Sequence, residues 1–394
     1  MRTQIVIIGG GPAGLLLSQT LHRSGIDSVV LERASRAHVL SRIRAGMLEW
    51  GSVQMLREAG VAQRMDRDGE VHDGSAVAWA GRGRFLIDVR KYAGRPMMMY
   101  GQTQLTEDLY AARDAMGGVV IDEAQDVTPH AIDGQRPCVT YRKHDREHRI
   151  DCDFIAGCDG FHGVSRQSIP PAALRVFEKG YPFGWLGIMS RTPPLPQPTY
   201  CHHERGFALV SKRKAMLSRH YIQVDLDTDL ADWPDERFWD ELKARLPADY
   251  AQQLVTGPSI EKSIAPLRSF VVEPMRYGRL FLVGDAAHIV PPTGAKGLNL
   301  AISDVHYLAR GLVAFYKEND GSHLDRYSET ALRRVWAASR FSWWLTGLLH
   351  RFPGQTAFDL RAQEAELDFI MSSESAMRAM CEQYAGLPFE QGWG

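Results

Sequence analysis

Residues 4–14 read QIVIIGGGPAG, and their reading decides the fold. The β-branched run 4–8 suits a buried strand. Gly9, Gly11 and Gly14 then give G-x-G-x-x-G, and residues 15–21 continue with helical spacing. Glycines at such a turn let the backbone approach a pyrophosphate above the free amides of a helix N-terminus. A second strand, 28–31, ends in Glu32, roughly twenty residues beyond the last glycine, where an acid binds a ribose hydroxyl. The glycines alone are also compatible with a tight corner. Strand, glycines, helix, strand and acid in that order point to dinucleotide binding.

A second stretch, 280–300, reads LFLVGDAAHIVPPTGAKGLNL. Its opening is an apolar strand stopped by Gly284 and Asp285, so a carboxylate sits at a strand's end and can accept hydrogen bonds from sugar hydroxyls. Pro291, Pro292, Thr293 and Gly294 form a stiff loop that delivers Gly297, Leu298 and Asn299 to the start of a helix. A strand at 154–157 followed by Cys158, Asp159 and Gly160 repeats the same kind of ending.

The chain has 394 residues, too many for one compact core, which suggests two or three domains. A formal net charge of −1 with no sustained basic run argues against nucleic acid as a partner. The five cysteines are odd in number and lack C-x-x-C spacing, so neither a disulfide framework nor a metal site is expected. That usage fits a reducing cytoplasm. No cleavable leader pattern and no apolar run of membrane-spanning length is evident, so the expectation is a soluble, unprocessed protein with no membrane partner.

The expected fold class is α/β, a mixed α+β arrangement in which a Rossmann-like domain interleaves with a β-rich substrate domain. Residues 1–73, 98–180 and 267–349 are assigned to the first, 74–97 and 181–266 to the second, and 350–394 to a helical C-terminal interface region. An amphipathic helix is expected over 47–59, and one capped by Thr103 running to about Met116. Strands are expected at 185–189, 207–210 and 220–224 around a helix at 235–245, and a long helix at 325–349 carries Phe341, Trp343 and Trp344 before Pro353. Arg42 and Arg44 share a face if extended and could meet phosphates. Ser211 and Arg213, and likewise Arg219 and Tyr221, point the same way from a strand. A guanidinium flanked by two hydroxyls matches a carboxylate, although an Arg- and Lys-rich strand is otherwise a solvated edge.

The glycine motif with Glu32, Cys158-Asp159-Gly160 in the middle, and Gly284-Asp285 with Pro292 and Asn299 late in the chain together resemble the single-component flavin-dependent aromatic hydroxylases. The similarity extends through DGFHGVSRQSIP, FGWLG, EKSIAPLRSFVVEPM and GDAAHIVPPTGAKGLNL, from Thr3 to about Pro388. The resemblance implies FAD, bound tightly and noncovalently. Gly9, Gly11, Ala13 and Gly14 would line the pyrophosphate with Arg42 and Arg44 nearby, and Glu32 would hold the adenosine ribose. Gln102 and Asp285 would bind the flavin's middle, with Asp159 in the same site and Leu298 and Asn299 at the ring. Ala13 departs from the serine of familiar relatives.

The resemblance also implies 4-hydroxybenzoate as substrate, with its carboxylate on Ser211, Arg213 and Tyr221. Tyr200 and the carbonyl of Pro292 would meet its phenol, Tyr384 would relay protons, and His72 would stand at the solvent end. No second strand-plus-glycine unit follows, so the reductant should bind transiently in a cleft, touching Arg33, Arg44, His162 and Arg268. NADPH is favoured and NADH stays open, because Ala34 and His38 replace the glutamine and tyrosine of relatives. With O2, a flavin hydroperoxide would yield 3,4-dihydroxybenzoate in aromatic catabolism, in a homodimer. The alternatives are a hydroxylase of another hydroxylated benzoate and a non-catalytic flavin-fold binding protein. A flavin halogenase is disfavoured by the missing W-x-W-x-I-P.

Overall fold

A computed structural model of the chain describes residues 1–41, 46–79 and 81–389. The run that opens the sequence forms the strand Ile5–Ile8, buried along its whole length. It lies inside a six-stranded sheet ordered Arg276–Tyr277, Leu280–Leu282, Phe154–Gly157, Ile5–Ile8, Ser28–Leu31, Val119–Ile121. The pairings are parallel except between the first two strands. Strands covered on both faces need continuous apolar runs rather than alternation, which is what IVII, SVVL, FIAG and LFL supply. The helix Pro12–Arg23 packs against Gln102–Ala115 and Gly297–Val313.

Leu280–Leu282, Phe154–Gly157, Ile5–Ile8 and Ser28–Leu31 are consecutive neighbours, so the turns that follow them open along one carboxyl edge. At about 4.8 Å per strand this edge is roughly 15 Å long, the crevice where doubly wound sheets hold their ligands.

A second sheet of eight strands runs in the order His288–Ile289, Ser259–Glu273, Arg175–Ser190, Leu217–Val224, Ala208–Lys214, Thr199–His202, Ala76–Trp79, Arg84–Leu86. Arg175–Ser190 and Ser259–Glu273 pair along most of their length, with a register shift between Gly180 and Gly184. The sequence-based boundaries at 180/181 and 266/267 fall inside these two strands. One face of the sheet packs on the C-terminal helices, in a core that joins Val77, Trp185, Tyr200 and Phe207 to Phe341, Leu345, Met380 and Tyr384. The helices are Tyr327–Leu349, Ala357–Ser372 and Glu374–Ala385. Among the described residues no helix is long and apolar enough to cross a membrane.

The structure shifts several local expectations. The helix placed at 47–59 begins only at Trp50, because Met47–Leu48 pairs as a strand with Met97–Met99. Thr103 does not cap its helix: Gly101 occupies that position and Gln102 is the first helical residue. The helix Asp235–Arg245 has the expected bounds, whereas the long C-terminal helix starts at Tyr327, after a separate turn at Ser322–Asp325. Arg42 and Arg44 lie outside the described residues.

Candidate active site

At the carboxyl edge the glycine turn has the form a pyrophosphate needs. Gly9 has φ +113, and a Cβ there would strike the carbonyl of Cys158, while one on Gly14 would strike the carbonyl of Gly9. Among the described residues nothing crowds Gly11 and no side chain caps Pro12–Arg23. The first-turn amides are therefore left for an anion. Ala13 brings no hydroxyl to them. Glu32 is fixed in advance: its Oε2 accepts from the Gly10 amide at 2.7 Å and its Oε1 from the Ala34 amide at 2.8 Å. A carboxylate held this way keeps lone pairs for ribose hydroxyls.

Two strands along from Ile5–Ile8, Asp285 sits exposed on the turn Gly284–Ala286 at the end of Leu280–Leu282. Gln102 is half-buried at the start of its helix. One oxygen of Asp159 is engaged within the protein: its Oδ2 accepts from the Ser165 amide and hydroxyl, both at 2.9 Å, at the start of Val164–Gln167. Its Oδ1 is buried and has no partner among the described residues. Burial pushes its carboxyl above the usual range, against those hydrogen bonds.

Asn299, expected at the flavin ring through its backbone, spends its side chain inside the protein. Its Oδ1 accepts from the Glu49 amide and the Ser52 hydroxyl, and its Nδ2 donates to the carbonyls of Met47 and Ala295, all at 2.8–3.0 Å. The amide is saturated, so contact with a ring falls to the backbone donors of Leu298 and Asn299. No side chain caps that end of Gly297–Val313, and the positive end of its dipole faces outward there. The open glycine cradle, the fixed Glu32, the exposed Asp285 and these amides fit FAD.

On the second sheet, Tyr200, Leu209, Tyr221 and Gly187 are register partners across four strands and share one face. A Cβ on Gly187 would come within 2.7 Å of the Tyr221 ring, so glycine is what lets that ring lie flat over the neighbouring strand. One side of this row carries two arginines. Arg219 is buried and neutralised, donating to Glu261 at 2.6 Å and to Ser263 at 3.3 Å. Arg213 is half-buried and donates only to neutral oxygens: Ser211 Oγ at 3.2 Å, the Lys212 carbonyl at 3.1 Å and the Tyr221 hydroxyl at 3.5 Å. Among the described residues it has no carboxylate partner. Burial lowers its pKa, outweighing the opposing pull of Tyr221 and of the more distant Glu261. Lys212, expected to be solvated, pairs with Glu70 at 2.6 Å.

The other end of the row is a line of hydroxyls. Tyr200 Oη lies 3.1 Å from Tyr384 Oη, which lies 2.9 Å from Ser75 Oγ, all three buried. Burial holds both phenols above their ordinary pKa, Tyr200 well above. His72 is not in this line: its Nδ1 lies 3.0 Å from the Gly74 carbonyl, to which it donates in that tautomer. The Pro292 carbonyl accepts from the Ala295 amide at 3.0 Å within the turn Pro292–Gly294 and retains one lone pair. Lys296, just beyond, donates to the Tyr384 carbonyl at 2.8 Å and to Glu49 at 2.7 Å, tying this loop to Tyr384's helix.

Of the residues expected to meet the reductant, His162 and Arg268 are brought together. The Phe161 ring stands 5.0 Å from the His162 ring and 4.7 Å from the Arg268 guanidinium. Arg33 is exposed on the same carboxyl edge, at the end of Ser28–Leu31. Nearby Arg36 is engaged by Asp114 through two hydrogen bonds of 2.6 and 2.9 Å and lies over the Tyr110 ring.

The family model described as an FAD binding domain matches residues 2–342. The chain is 50% identical to the p-hydroxybenzoate hydroxylase of Acinetobacter baylyi over 99% of its own length and 96% of the other's. This chain belongs to the FAD-binding hydroxylase family.

A more distant family member, the 3-(3-hydroxy-phenyl)propionate/3-hydroxycinnamic acid hydroxylase 2 of Burkholderia vietnamiensis, is 25% identical over 78% of this chain and 56% of its own. The fold is shared with p-nitrophenol 4-monooxygenase from Pseudomonas putida at a TM-score of 0.79 and 20% identity, covering 98% and 99% of the two chains. Several parts of the site carry no local signal in the sequence. Ser75, Lys296, Glu49 and Gly187 act on residues far along the chain, Ser75 on Tyr384 across 309 positions. Gly187 could have been noticed inside FGWLG, where an apolar strand carries two glycines.

Proposed function

We propose that this flavoprotein hydroxylates 4-hydroxybenzoate beside its phenol, giving 3,4-dihydroxybenzoate, at the expense of a reduced nicotinamide and O2. The observation that carries the reading is Arg213, a half-buried guanidinium with no carboxylate partner among the described residues, on the same sheet face as the hydroxyl line that ends at Tyr200. A ring with a carboxylate at one end and a hydroxyl at the other satisfies both. The name of the Acinetobacter baylyi relative supports this substrate over other hydroxylated benzoates. A non-catalytic binding protein would not need the hydroxyl line.

When bound, reduced FAD with O2 supplies the electrophilic oxygen. The protein's part is to present the ring as a phenolate, because an ionised oxygen enriches the carbon beside it. Tyr200 donates to that oxygen and stabilises the charged form. Arg213, Ser211 and Tyr221 fix the opposite end, where a bidentate guanidinium gives direction as well as charge. The apolar wall behind them, Trp185 and Phe207 stacked at 4.9 Å, keeps water from the reacting oxygen. Gly9, Gly11, Gly14, Glu32, Gln102, Asp285, Leu298 and Asn299 hold the cofactor in this reading.

For the reductant, we assign the approach to Arg33, His162 and Arg268, with NADPH favoured because Arg33 is exposed where it can meet a 2′-phosphate. The Arg36–Asp114 pair favours a second reading, NADH, since it withdraws a cation from that place. The chain is placed in the cytoplasm as a homodimer, with Trp343 and Phe369 exposed on the C-terminal helices as the contact. Its division into a dinucleotide domain, a substrate domain and a C-terminal region is kept as proposed. Turnover of 4-hydroxybenzoate with FAD and each nicotinamide tests the reading: 3,4-dihydroxybenzoate should form, and reductant consumption without it would refute the assignment.

A further inference from the structure

The hydroxyl line does not stop at the tyrosine pair. Tyr200 and Tyr384 are 6% and 1% exposed, and the Tyr384 hydroxyl touches only Tyr200 and Ser75 among the described residues. A proton that has reached Tyr384 therefore has two places to go: back to Tyr200, or on to Ser75. Ser75, 2% exposed, precedes the strand Ala76–Trp79 and follows the loop Asp73-Gly74 that leads from His72. His72, by contrast, is only partly buried and makes its hydrogen bond to the Gly74 carbonyl, so the tyrosines do not reach it directly.

We propose that Ser75 is the third member of the proton relay, the hydroxyl through which the buried tyrosine pair communicates with the rim at His72. The proposal rests on the reading of the pocket as one that ionises a phenol. The transfer is a concerted shift. The O–H bond of the substrate phenol breaks as its proton goes to Tyr200 Oη, Tyr200's own proton goes to Tyr384 Oη, and Tyr384's goes to Ser75 Oγ. Ser75's proton passes to water at the His72 rim. One proton leaves, the phenolate stays, and each hydroxyl ends with the same number of protons. A hydroxyl is both donor and acceptor, so three in a row can reverse their sense together. Burial keeps both phenols protonated, which favours such a shift over a standing tyrosinate.

The charged and titratable groups around the line do not offer a competing route. Lys296 lies 6.0 Å from the Tyr384 ring but is held by Glu49 and the Tyr384 carbonyl, and Glu49 is shared with Arg334 at 2.6 Å. Asp73 is paired with Arg90. Asp88 caps the next helix through the Lys91 amide, and Cys381, on Tyr384's own helix, is buried with its thiol pushed up to about 12. Ser75 acts through Tyr384 and is a positioning residue.

The test compares the FAD-loaded wild type with Ser75→Ala and Ser75→Thr. Stopped-flow absorbance reads the rate at which bound 4-hydroxybenzoate becomes phenolate, with the apparent pKa of that ionisation and the substrate Kd measured alongside. Ser75→Ala should slow ionisation by about tenfold, the size of one lost hydrogen bond in the transfer, with Kd unchanged. Ser75→Thr, which restores the hydroxyl, should recover most of the rate. If Ser75→Ala ionises its substrate at the wild-type rate, the relay is overturned while the functional reading stands. If Kd rises in step with the slowing, Ser75 only props Tyr384 and the relay is again overturned. A wild type that binds 4-hydroxybenzoate without ionising it would refute the functional reading and the relay together.

Discussion

The two ends of the proposed substrate site are built in opposite ways. The charged end, Ser211, Arg213 and Tyr221, comes from one antiparallel hairpin whose strands Ala208–Lys214 and Leu217–Val224 are directly paired. The hydroxyl end gathers Ser75, Tyr200 and Tyr384 from three remote parts of the chain, with contacts spanning 184 and 309 positions. A hairpin fixes its own geometry locally, so the charged end can be a rigid clamp independent of the C-terminal helices. The hydroxyl end exists only when the helix Glu374–Ala385 is docked, which couples proton transfer to the closure of the core. The clamp should therefore govern binding, and the hydroxyl line should govern what happens to substrate already bound.

The largest effect is expected at the clamp. Arg213→Ala removes the guanidinium proposed to face the carboxylate, and loss of a buried charge partner costs about 2–5 kcal/mol, so binding of 4-hydroxybenzoate should weaken by that amount in a titration. Equal affinity in the variant would break the distinction between the two ends. Tyr200→Phe should leave binding nearly intact and raise the bound phenol's pKa by roughly one to two units, from a charged hydrogen bond of about 1.5–3 kcal/mol. Product formed per reductant should fall and hydrogen peroxide should rise. If binding falls as steeply as in Arg213→Ala, the separation of roles is lost.

Acid should weaken the shared wall behind both ends. His350 accepts from Trp185 Nε1 at 2.8 Å, donates to the Thr346 carbonyl at 3.0 Å and stacks on Phe207, and burial pushes its pKa down to about 3. The unfolded chain takes up that proton near pH 6.5 and the folded one only near 3. Stability from this group is therefore fully present above about pH 6.5 and lost as pH falls toward 3, by about 1.4 kcal/mol per unit. Tm measured between pH 7 and 5 should fall, and His350→Gln should flatten the slope by one proton. An unchanged slope would remove His350 as its source. The smallest effect is expected far from either end: Asp114→Ala releases Arg36 and should shift the ratio of kcat/KM for NADPH over NADH upward by a few-fold, consistent with one exposed charge contact. No shift would leave reductant choice to Arg33 and the rest of the edge.

The same contrast explains what was legible in the sequence. The Rossmann unit and the convergence of Ser211, Arg213 and Tyr221 were readable because their determinants are neighbours: glycines beside a strand, Glu32 at the next strand's end, Ser211 and Arg213 two residues apart. The helix at 235–245 was readable from its own periodicity. Met47 and Leu48 were misread as helical because their strand pairing depends on Met98 and Met99, and their anchoring on Asn299. The internal hydrogen bonds of the Asn299 side chain were not legible, because a residue's type does not reveal which partners far along the chain will take up its amide. The bond from Ser165 to Asp159 was hidden for the same reason, since it forms only once the turn is folded. Ser75 has no pattern around it and gains meaning only from Tyr384.

The most direct test of a pocket with a carboxylate end and a hydroxyl end is the yield of 3,4-dihydroxybenzoate per reductant consumed, set against turnover of 4-hydroxybenzamide, which keeps the phenol and lacks the anion. With FAD bound and 4-hydroxybenzoate saturating, nearly one product per reductant is expected, and kcat/KM for the amide should be lower by at least tenfold, the worth of about 1.4 kcal/mol at Arg213. Equal kcat/KM for the two compounds, or reductant consumed at saturating 4-hydroxybenzoate with hydrogen peroxide as the sole product, would contradict the account.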